Sequence, residues 1–132
     1  MIIAAAVFVT LAALLHVYIF LLESVWWTRP ATWKRFGLRS QADAETTRPM
    51  AYNQGFYNLF LGVGAAIGLL LFFGGQSAAG TALVLFCTGS MVLAATVLTT
   101  TTVLTTTGAG YLRAALTQGT LPLIGFVLFL VG

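Results

Sequence analysis

Charge is what this chain has least of. Three acidic and six basic side chains serve 132 residues, or 7% charged, where a soluble domain carries about 25%. So few cannot cover a water-facing surface. The lone cysteine, Cys87, excludes an internal disulfide and a CxxC redox pair. One histidine, one cysteine and one acid inside an apolar run make no zinc or haem ligand set, so no metal and no cofactor is expected. No phosphate-binding loop, nucleotide motif or nucleophile–base pair is present. The net charge of +3 reads as a topology signal and an anionic-lipid contact, not as a nucleic-acid surface.

What fills the space is hydrocarbon. Hydrophobic residues make up 59% of the chain. Four long apolar runs lie at about 2–27, 50–73, 79–104 and 112–131. Each reaches the roughly 20 residues a helix needs to cross a bilayer core. The expectation is a single-domain, all-α integral membrane protein, an up-down bundle of four helices. The first run has no basic residue before it and no small-residue cleavage site after it, only Trp26-Trp27. It therefore reads as a span and not as a signal peptide.

Arg29, Lys34, Arg35, Arg39 and Arg48 lie between the first and second runs, and Arg113 lies between the third and fourth. With four spans, all six fall on one side. The positive-inside bias makes the 28–49 connection cytoplasmic and both termini external, in a bacterial cytoplasmic membrane. Trp26, Trp27 and Trp33 would form an aromatic belt on that side, and Pro49 suits the first turn of the second span. Gly64 and Gly68 form a GxxxG that serves packing inside the bundle or a homo-oligomer. The threonine tract (Thr96, Thr99–Thr102, Thr105–Thr107) bonds back to helix carbonyls and reads as structural.

Against this background Glu23 stands out. An ionisable group within hydrocarbon costs about 2.5–3.5 kcal/mol on insertion scales. The fourteen Ile, Leu, Val and Phe residues from Ile2 to Val25 offset that with about −4 to −8 kcal/mol. His16 is seven residues earlier, on the same face and about 10 Å away. Asn53, Gln54, Tyr57 and Asn58 fall together on the second span by i,i+3 and i,i+4 spacing. Gln118 lies on the fourth span, with Pro122 freeing a carbonyl nearby. Counting from the charged edges puts these groups in one half of the membrane, so a single internal site shared by three helices is expected. Amides in spans also act as interhelical glue, but that role needs no carboxylate.

The strings His16–Glu23 with Trp26-Trp27, Asn53-Gln54-Gly55-Phe56-Tyr57-Asn58-Leu59-Phe60-Leu61, and Gln118-Gly119-Thr120-Leu121-Pro122 resemble the domain-of-unknown-function 1304 family over nearly the whole chain. That resemblance implies a small four-helix membrane protein with motif residues His16, Glu23, Asn53, Gln54, Tyr57, Asn58 and Gln118. It implies no particular activity.

Three functions compete. In the first, the site binds a small lipophilic molecule with a polar head. Glu23 and His16 would then be the acid/base pair, with Asn53, Gln54, Tyr57, Asn58, Gln118 and Trp27 as ligand contacts. In the second, the polar cluster only sets helix register in a membrane scaffold. In the third, Glu23 couples protons to transport of an amphipathic molecule. The one-sided charge and off-centre cluster argue against this third reading.

Overall fold

The computed structural model describes residues 1–105 and 109–132, with backbone alone for 101–105 and 109–111. No strand occurs among the described residues. The helices are α1 (Ile2–Phe20), continued by a π-helical turn (Leu21–Val25), then α2 (Pro30–Trp33), α3 (Gln41–Phe73), α4 (Ser77–Thr105) and α5 (Ala109–Val131). Four are long and apolar enough to cross a membrane.

α1, α3, α4 and α5 form a ring in which each packs on the next and α5 returns to α1. Small residues set the spacing. A Cβ on Gly68 would lie 2.8 Å from Val84 Cγ2, and one on Gly64 would lie 2.7 Å from Cys87 Sγ. The GxxxG of α3 thus faces α4 of the same chain. The core is made of Ala5, Val9, Ala12, Ala13, Ala65, Val84, Cys87, Met91 and Phe129. Larger side chains such as Leu14, Phe60, Leu70, Phe86 and Leu93 face outward. Small inside and large outside is the arrangement expected where the surroundings are as apolar as the core and close helix approach supplies the attraction.

The ends follow local chemistry. At the end of α3, Gly75 adopts φ 93°, Gln76 N–H reaches Leu71 O at 2.9 Å and Gly75 N–H reaches Phe72 O. This Schellman closure turns the chain into α4 within three residues. At the start, Ser40 Oγ accepts Asp43 N–H at 3.1 Å, a side-chain cap with an acid in the first turn.

That cap starts the helix well before the apolar run does. α3 begins at Gln41, nine residues before Met50, and Pro49 lies inside it. Pro49 and Glu45 are exposed, so the carbonyl that Pro49 leaves unbonded stays open to solvent or headgroups. At 33 residues, α3 is about 50 Å long and overshoots the bilayer core. Its overhang supports the connection: Trp27 Nε1 donates to Ala44 O at 3.0 Å, Trp33 Nε1 donates to Gln41 Oε1 at 3.0 Å, and Trp27 packs on Phe36 with ring centroids 4.9 Å apart. Trp27, Thr32 and Trp33 are buried in this cap over the end of the bundle.

Candidate functional site

The site begins with the π turn. Trp26 N–H bonds to Leu21 O at 2.8 Å, five residues back. Such bulges recur at functional positions. The slack winding lets two consecutive side chains address α3. Ser24 Oγ donates to Tyr52 O at 2.8 Å, and Glu23 Oε2 accepts Asn58 Nδ2 at 2.9 Å. Contact this close needs Gly55, since a Cβ there would overlap Ser24 Oγ and lie 3.1 Å from Glu23 Cβ.

Glu23 is 9% exposed and Asn58 4%. Asn58 Nδ2 also donates to Gln54 O at 3.0 Å, so both amide hydrogens are engaged and the side chain is fixed. Among the described residues no cation pairs with Glu23. An intramembrane acid held by one amide, without a counter-ion, is an expensive arrangement for a purely structural contact.

One α-helical stretch earlier, His16 is fully buried, with Nδ1 2.8 Å from Ala12 O. A carbonyl only accepts, so Nδ1 carries hydrogen and, in the neutral ring, Nε2 offers a lone pair. That Nε2 is the buried side-chain atom without a hydrogen-bond partner among the described residues. His16 is seated against Gly62, where a Cβ would lie 3.5 Å from His16 Cβ and 2.9 Å from Ala13 O.

The expected three-helix cluster is smaller than its residue types suggested. Glu23 and Asn58 meet, and His16 shares their α1–α3 seam. Asn53, Gln54 and Tyr57 do not join them: all three are exposed, Tyr57 at 62%. The buried stripe of α3 runs Ala51, Gly55, Asn58, Gly62 and Ala65, which turns positions 53, 54 and 57 outward. They lie level with the π turn that carries Glu23 but on the outward side of α3.

Gln118 is half-buried. A Cβ on Gly125 would lie 3.0 Å from Val9 Cγ2. Seven residues back on α5 and seven forward on antiparallel α1 put Gln118 level with His16. It bonds to neither His16 nor Glu23. Trp27 uses its N–H on Ala44 O and Thr47 Oγ1, as a cap anchor. Thr99 bonds back to Ala95 O at 2.9 Å, while the side chains of Thr101, Thr102 and Thr105–Thr107 lie outside the described residues.

Residue types alone missed Ser24, whose place beside Glu23 was the available signal; Gly55 and Gly62, one heptad apart in the second run, were legible as small residues that allow close approach. A groove of about 510 Å³ runs along the outer α1–α3 surface, lined by Thr10, Ala13, Val17, Gly62, Val63 and Ala66 among others. It includes neither Glu23 nor His16, but Gly62, where His16 is seated, lines it together with Ala13 and Val17. Among the described residues no group of three His, Cys, Asp or Glu side chains could hold a metal ion.

The architecture is that of a multi-pass helical membrane bundle with a polar seam between its first and third helices. The chain belongs to the family described as protein of unknown function (DUF1304), which matches residues 10–130. No curated protein and no solved structure matches the chain.

Proposed function

We propose that the His16–Glu23–Asn58 seam binds the polar head of a small lipophilic molecule and exchanges a proton with it. The basic end of the bundle would face the cytoplasm of a bacterial cell. One observation carries this reading: a carboxylate with no counter-ion shares a helix seam with an imidazole nitrogen that has no partner. Glu23 supplies the ionisable oxygen, Asn58 orients it, and His16 Nε2 accepts from a donor such as a hydroxyl. Gln118, level with His16, is the group from α5 nearest in height to join a bound head. The adjoining apolar groove offers room for a hydrocarbon tail. Asn53, Gln54, Tyr57 and Trp27 take no part in this version of the site.

The test is Glu23→Gln, which keeps an oxygen to accept from Asn58 while removing the ionisable group. Wild type and variant are purified in mild detergent, and co-purifying lipophilic molecules are compared by mass spectrometry beside folded yield. The proposal expects unchanged yield and loss of a bound molecule. Equal yield with identical extracts would refute it.

A register-setting role is the second reading, favoured by Asn58 using both amide hydrogens within the protein. It expects Asn58→Leu to lower folded yield while nothing bound is lost per folded molecule.

A further inference from the structure

We propose that the outer flank of α1, at the basic end, holds the phosphate of an anionic phospholipid between Arg29 and Arg35. Four side chains form a continuous chain there. The Arg29 guanidinium carbon lies 5.1 Å from the Trp26 ring centroid. Trp26 meets Tyr18 edge-on at 6.5 Å and 70°. The Tyr18 hydroxyl accepts a hydrogen bond from Arg35 at 3.2 Å.

Both guanidinium groups are exposed and oriented by aromatic groups that carry no charge. The chain's acids are engaged elsewhere or lie apart: Glu23 accepts from Asn58, Glu45 accepts from Gln41, and no described ion pair joins either arginine to Glu23, Asp43 or Glu45. A guanidinium carries five N–H donors in a fixed fork. A phenol that accepts one leaves the others, and the full positive charge, for an outside anion. Bidentate recognition of phosphate is the chemistry such a fork suits.

Position selects the lipid over the free ion. The first candidate span ends at Val25, so Trp26 and Arg29 stand at the headgroup boundary. Tyr18 reaches two turns below it. Beneath Tyr18 the same flank continues through exposed Leu14 and Leu11, on i,i+3 and i,i+4 steps. A phosphate with acyl chains meets cations above and hydrocarbon below, whereas free phosphate gains nothing from the lower half.

The experiment uses the full chain in neutral detergent with native mass spectrometry. Short-chain phosphatidylglycerol, short-chain phosphatidylcholine and inorganic phosphate are titrated separately. The wild type is expected to bind phosphatidylglycerol preferentially. The Arg29→Gln/Arg35→Gln double variant should weaken that binding about 30-fold, at the value typical for two basic residues at a lipid surface. Tyr18→Phe keeps the ring but frees Arg35, and should weaken it by a smaller factor. Arg39→Gln/Arg48→Gln removes equal charge from the same connection and should leave binding within twofold. Equal losses in the two double variants would reduce the site to diffuse attraction and overturn the proposal. So would absence of headgroup preference, or inorganic phosphate competing as well as the lipid.

Discussion

A single methyl group at Gly55 tests how the π turn is seated on α3. A Cβ there would overlap Ser24 Oγ and come within 3.1 Å of both Glu23 Cβ and Ser24 N. These atoms belong to the π turn, so relief requires the turn to retreat from α3. Retreat breaks the Ser24–Tyr52 and Glu23–Asn58 hydrogen bonds, each about 0.6 kcal/mol by membrane double-mutant cycles. Overpacking adds about 1–3 kcal/mol, while replacing glycine within a helix returns up to about 1 kcal/mol. The net expectation for Gly55→Ala is about 1–4 kcal/mol of destabilisation, read as reversible unfolding in mixed micelles. The diagnostic is a second-site variant. Ser24→Ala removes the atom that the new methyl would strike, so Gly55→Ala/Ser24→Ala should be more stable than the sum of the single changes by about 1 kcal/mol. Additive behaviour, or a Gly55→Ala protein as stable as wild type, would falsify the account of how the π turn is seated.

Two further outcomes follow from the described contacts. Trp27→Phe keeps a ring against Phe36 but removes the donor to Ala44 O, and should cost about 1 kcal/mol. Its signature is faster trypsin cleavage at Lys34 and Arg35 with the spans still protected, and unchanged cleavage would show that the cap does not depend on that bond. Asn53→Ala and Tyr57→Phe alter exposed side chains, so each should stay within about 0.5 kcal/mol of wild type. A large loss of stability or of bound molecule in either would place that residue inside the site and overturn its outward assignment.

Much of the fold was legible in residue order because span length and apolarity are one-dimensional properties. Four runs of sufficient length against 7% charge admit few alternatives, and the short uncharged turn at Gly74–Gln76 requires antiparallel neighbours. The helix start at Gln41 was not legible. A polar, proline-containing stretch resembles a loop unless the Ser40 cap and the docking of Trp27 and Trp33 on the overhang are known.

For the site, Glu23, His16 and Asn58 stood out as polar groups in apolar surroundings. Spacing on α3 could not say which of its amides faced inward, since positions 53, 54, 57 and 58 span more than a quarter turn. The glycine stripe through Gly55 and Gly62 decided it. Sequence by itself determined how many times the chain can cross a membrane and which side chains are costly there, since both depend on residue chemistry summed along the chain. Only the tertiary structure decided that a π turn pairs Glu23 with Asn58, leaves His16 Nε2 without a partner and turns the other α3 amides outward. Those outcomes depend on helix rotation and on how closely two backbones approach, and both are set by contacts between segments distant in the chain.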